Sequence, residues 1–173
     1  MKLLKSLAAA AAMVALTGAA QAALVSLGNG TVRDTNTNLI WLQNWNVNGA
    51  QNWSTQKGWA DSLDFASSTD WRLPEISEYG ALFTAYGNLT QVAEFTNVQP
   101  VLYWSGTEFS PGIFAWYFNP GNGLPFLDFQ DFQFSAVAVR PGDVAASVPE
   151  PQTLALALLA FGAMVVARRR RPV

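Results

Sequence analysis

The 173-residue chain contains no cysteine and no histidine. The first absence removes disulfides and thiolate-ligated metals. The second removes the commonest general base, the serine–histidine triad and most zinc sites. Basic side chains are also scarce where a folded domain would lie. Between residues 23 and 147 the cations are Arg33, Lys57, Arg72 and Arg140, against eleven carboxylates, a net charge of −7 where the whole chain carries −2. Nucleic acid is excluded as a partner, because it demands a basic patch to displace counterions. What the sequence has in quantity is aromatic: seven Trp, four Tyr and eleven Phe. Large rings bury much area per residue, so such a domain can fold without covalent staples.

Both ends read as addressing signals. Residues 1–22 form a secretory signal peptide, with Lys2 and Lys5 ahead of an apolar stretch and a small-x-small cleavage site at Ala20 and Ala22. The segment 23–147 is long enough for one domain with a single core. At the other end, Pro149, Glu150 and Pro151 precede an apolar run and then four consecutive arginines, 168–171. The run 153–167 holds 15 residues. As a helix it spans about 22 Å against roughly 30 Å of bilayer hydrocarbon, short for a permanent span unless arginine stems snorkel. The arginines stay cytoplasmic and the domain faces outward.

Within 23–147 the segments 30–34 and 39–42 are expected as two strands joined by a turn of Thr and Asn. Asp34-x-Asn36-x-Asn38 superficially matches a calcium loop, but Leu39 stands where glycine is needed and Trp45 where the bidentate acid is needed. Residues 45–52 are polar and read as loop. Ser54 is expected to cap a helix over 55–65. The stretch 70–79 combines Trp71, Arg72, Pro74, Glu75 and Glu78 with apolar residues at helical spacing, and predicts a helix over 74–86 with Pro74 at its first position. Trp71, Arg72 and Pro74 are assigned structural roles, with Arg72 paired to Glu75, Glu78 or another loop acid. Residues 88–100 show no period. From Val101 onward come short strands at 101–105, 114–118, 125–129 and 136–140, separated by Pro/Gly/Asn turns. The pattern reads as α+β: two helices packed on short antiparallel strands.

The tail, Val148-Pro149-Glu150-Pro151 with a short apolar run and terminal arginines, resembles the PEP-CTERM sorting signal. That resemblance implies recognition and cleavage by an exosortase-type membrane protease. It also implies an exopolysaccharide-producing Gram-negative bacterium, with the protein anchored in the inner membrane before processing and then at the cell surface or in the matrix. The domain itself resembles the Lcl C-terminal-like family over about 30–140. The motifs are Val32-Arg33-Asp34, Thr37 through Trp41, Trp59-Ala60, Asp70 through Pro74, Tyr103-Trp104-Ser105 and Val137 through Arg140. The resemblance implies a C-type-lectin-like fold. The Glu-Pro-Asn triplet of sugar-binding lectins is missing, since Asn119-Pro120 lacks its acid.

Paired carboxylates for glycoside hydrolysis would have to come from Asp128 and Asp131, three apart and better explained as a solvated face. The protein is therefore expected not to be an enzyme. Candidate ligand-binding residues are Trp45 and Trp53 for stacking on sugar, with Asn119, Asn122, Asp128 and Asp131 for hydroxyls; turn chemistry and solubility are the plainer reading of those four. No cofactor is expected, calcium at the same polar residues being the alternative. The function expected is a carbohydrate- or matrix-binding module linked to exopolysaccharide and biofilm. The alternative is a structural, adhesive protein acting through self-association or protein partners.

Overall fold

A computed structural model describes residues 22–143. Seven strands and two α-helices occur in the order β1 (Leu24–Ser26), β2 (Thr31–Asp34), β3 (Leu39–Leu42), α1 (Trp53–Asp61), α2 (Ile76–Tyr86), β4 (Tyr103–Ser110), β5 (Phe114–Phe118), β6 (Pro125–Phe129) and β7 (Val139–Pro141). They form two separate antiparallel sheets, one ordered β1-β2-β3-β7 and the other β4-β5-β6. This β-rich fold replaces the expected α+β, C-type-lectin-like arrangement of two helices on one group of strands. The spacing of short apolar runs marks where strands lie but not which pair. Here β2 and β3 find their further partner at the end of the domain, in β7, leaving β4–β6 as a sheet of its own. The expected membrane helix 153–167, the signal peptide with Ala20, and Pro149, Glu150 and Pro151 lie outside the described residues. Among the described residues no helix is long and apolar enough to cross a membrane.

The β2–β3 turn closes on Asn38 at φ 55°, a left-handed conformation that asparagine tolerates. Asp34, fully buried, accepts from Asn36 N, Thr37 Oγ1 and Tyr86 Oη, so the apparent calcium motif is a satisfied turn. Helix α1 starts earlier than expected, because Asn52 and not Ser54 is the cap: its Oδ1 accepts from Thr55 N at 2.9 Å. Helix α2, by contrast, starts two residues later than predicted, at Ile76. Glu75 is its cap and Pro74 precedes it, with the Pro74 carbonyl taking Gly106 N of β4 at 2.7 Å. Glu75 and Glu78 form a capping box, and the Arg72 guanidinium grips Glu78 bidentately at 2.6 and 2.7 Å. That pair raises the Arg72 pKa further.

Tyr79 of α2 ties the two sheets together. Its ring stacks on Phe118 of β5 at 4.9 Å and meets Trp41 of β3 at 5.7 Å. Burial drives its phenol well above the ordinary value, so it stays neutral at the centre of the core. Trp71 is buried and lies under Arg140, whose guanidinium carbon is 5.7 Å from the ring centroid. Arg72 and Val139 exchange backbone hydrogen bonds at 2.9 and 2.8 Å, fastening β7 from its second side.

Candidate functional site

A cleft of about 570 Å³ opens where three segments meet: the loop after β3, the chain entering β4, and the chain leaving β6. Its volume falls in the range of small-ligand sites. The segments are held together by backbone pairs. Gln51 and Phe134 exchange hydrogen bonds at 3.0 Å in each direction, and Ser135 binds Leu102 O and Trp104 N. Gln56 of α1, fully buried, donates to both Gly49 O and Phe134 O. Tyr103 Oη accepts from Gln99 N at 2.8 Å, and burial raises the phenol's pKa, so it remains neutral.

The wall of the cleft carries Asn46, Gln99, Gln133 and Ser135 with the ring of Phe134, and no lining residue is ionisable. Among the described residues, the side chains of Asn46 and Gln133 have no hydrogen-bond partner within the protein, and that of Gln99 has one at 3.5 Å only. Phe134 is backed by Trp104 at 4.6 Å and lies nearly parallel to the half-exposed Phe132. The result is an apolar face braced by Trp104 beside amide groups free to donate and accept hydrogen bonds. A smaller hollow of about 220 Å³ under Gly30 and Phe65 differs in this respect. Its polar rim residues Gln43, Asn44 and Thr96 are occupied with Glu94 O, Asn46 N and Gln43 O.

The residues singled out from sequence are not brought together. Trp45 is fully buried, stacked on Trp41 at 5.9 Å and packed against Tyr79, Phe95 and Tyr103. Trp53 is buried too, with its Nε1 donating to Ser105 O at 2.8 Å. Neither ring is free to stack on a ligand. Asn119 and Asn122 fold their side chains onto Gly121 N and Leu124 N of the β5–β6 loop. Asp128 accepts from Phe129 N near the opposite end of β6, about 13 Å along the strand from Leu124, and the exposed Asp131 lies beyond it. Among the described residues no three acidic side chains cluster closely enough to hold a metal ion. The sequence reading missed Gln99, Gln133 and Phe134. Its one usable signal was the polarity of 45–52, which does line the cleft through Asn46.

The Lcl C-terminal domain model matches residues 30–140, which includes both sheets apart from β1 and the final residue of β7. The chain belongs to the Lcl C-terminal domain family. In this Lcl protein the domain is followed by a PEP-CTERM protein-sorting motif matched over 147–171, beginning four positions beyond the last described residue, 143. The motif marks an exported protein and a substrate signal for exosortase processing. No curated protein matches the chain.

Proposed function

We propose that the Lcl domain is a non-enzymatic binding module for a neutral carbohydrate of the cell surface or extracellular matrix, delivered there by its sorting motif. The observation that carries this reading is the uncharged cleft, with unpartnered amides of Asn46 and Gln133 beside the braced ring of Phe134. An ionisable general acid or base is absent from the lining residues, which favours holding a ligand over transforming it. The domain's acidic charge disfavours anionic polysaccharide and leaves neutral sugars as the matching class. A biofilm role follows if the sugar is part of a secreted matrix.

The test is a neutral-glycan array probed with the full chain, with and without calcium. Binding is expected without calcium, and Asn46→Ala and Gln133→Ala should each weaken it about tenfold, the value of a well-made hydrogen bond at the upper end of its usual range. Absence of neutral-glycan binding, or binding untouched by both substitutions, overturns the reading.

A further inference from the structure

The second sheet leaves apolar side chains uncovered at its far edge. Ile113, Phe126, Leu127 and Phe129 are 36–52% exposed. Taking about 200 Å² for a phenylalanine and somewhat less for Leu or Ile, they present roughly 350 Å² of apolar side chain. That is somewhat under half of the ~800 Å² each partner brings to a standard protein interface, the rest coming from backbone and polar groups of the edge. All five residues of β6 are exposed or half-buried. The opposite side of this sheet is already occupied, since β4 is bonded to Ser135 and to Pro74.

The edge has a definite hydrogen-bonding phase. Asn119 N donates to Leu124 O and Gln130 N donates to Ile113 O, so by antiparallel alternation Phe126 and Asp128 turn their backbone groups inward to β5. Pro125, Leu127 and Phe129 therefore turn theirs outward. Pro125 has only a carbonyl to offer, and Phe129 N–H is held by the neighbouring Asp128 carboxylate at 2.9 Å. Among the described residues, Leu127 N–H has no partner.

We propose that β6 pairs antiparallel with β6 of a second copy of this chain, about a two-fold axis through Leu127. In this register the two Leu127 residues exchange hydrogen bonds. Phe129 N–H of each copy, released from Asp128, meets the Pro125 carbonyl of the other, giving four bonds in all. Asp128 then faces Phe126 of the partner subunit. A register centred on Asp128 keeps the outward groups in phase but sets two carboxylates directly opposite each other, which disfavours it. The pairing makes one continuous six-stranded sheet and covers Phe126 and Leu127, one on each face. It is independent of the cleft, and loss of sugar binding would leave it standing.

The chain has no cysteine, so Leu127→Cys supplies its sole thiol, at a Cα separation of about 5.5 Å in the dimer, within disulfide range. In the oxidised full chain this variant should form mostly cross-linked dimer, at least ten times more than Val47→Cys, a control 53% exposed in the loop after β3, outside the second sheet. Unmodified chain should sediment as a dimer, and Leu127→Pro, which removes the outward N–H while sparing the β5 ladder, should sediment as a monomer. Monomer at about 100 µM, a concentration far above a micromolar dissociation constant, overturns the proposal. So does equal cross-linking at Val47. A monomer that uses β6 to bind polysaccharide or phosphatidylglycerol vesicles, losing that binding on Leu127→Pro, overturns it as well.

Discussion

Replacing Glu78 by alanine removes three interactions from the start of α2. Its carboxylate takes both terminal nitrogens of Arg72 at 2.6 and 2.7 Å, accepts from Glu75 N at 2.8 Å, and lies in the helix's first turn. The ion pair is partly open to water, with side chains 35% and 19% exposed, so solvent screening limits it to about 1 kcal/mol despite its bidentate geometry. The lost cap adds about 0.5–1 kcal/mol. Loss of negative charge at the positive end of the helix dipole adds about 0.3–0.5 kcal/mol. The expected destabilisation is about 2 kcal/mol, a fall in Tm of roughly 6–8 °C for a domain of this size. Tryptophan fluorescence on thermal unfolding reads it. A double-mutant cycle with Arg72→Ala should return a coupling of about 1 kcal/mol that shrinks at about 1 M salt. Additive effects of the two substitutions, or a loss below about 0.5 kcal/mol for Glu78→Ala, would refute the reasoning.

Trp45→Ala should lower stability by about 3–5 kcal/mol in urea unfolding, with or without sugar present, because the ring fills the core and touches no ligand. Gly123→Ala should cost about 2–3 kcal/mol in the same assay. Gly123 has φ 75° and an added Cβ would fall 2.5 Å from the Phe83 ring, so conformation and space both oppose the change. The Glu108 carboxylate accepts from Gly112 N and then from Gln130 Nε2, which holds its pKa below the ordinary glutamate value. The stability it contributes is present above the unfolded-state pKa and is lost as pH falls through the depressed folded value. An NMR carboxyl titration should place Glu108 below the ordinary glutamate value, and the Gly112 amide should shift with the same midpoint.

Local chemistry was readable where local chemistry decides the outcome. Asn38 closes its turn with positive φ, Pro125–Phe129 is a strand, and Arg72 meets Glu78 across a helix start that was visible in the run of residues. Where several short-range solutions compete, the boundary moved: Asn52 caps α1 although Ser54 is an equally ordinary cap by type. Residues governed by distant partners were not readable. Trp45 sits in a polar loop, yet Phe95 and Tyr103 close around it from segments 50 or more residues away. The division into two sheets depends on β3 finding β7, and the cleft on Gln56 reaching Phe134; neither leaves a periodic trace.

The pairing of β7 with β3 has a consequence for timing. The first sheet is completed by Val139–Pro141, among the last residues of the domain to be made and exported. Until they arrive, the inner edge of β3 is open and Arg72 lacks the backbone partner that Val139 provides. From Pro141 to the start of the sorting motif at residue 147 is six residues, at most about 20 Å of extended chain. The strand that closes the domain and the motif read by the protease are thus neighbours along the chain. A chain ending before residue 139 would lack both the strand that completes the first sheet and the sorting motif, so every molecule that carries the motif also carries its last strand.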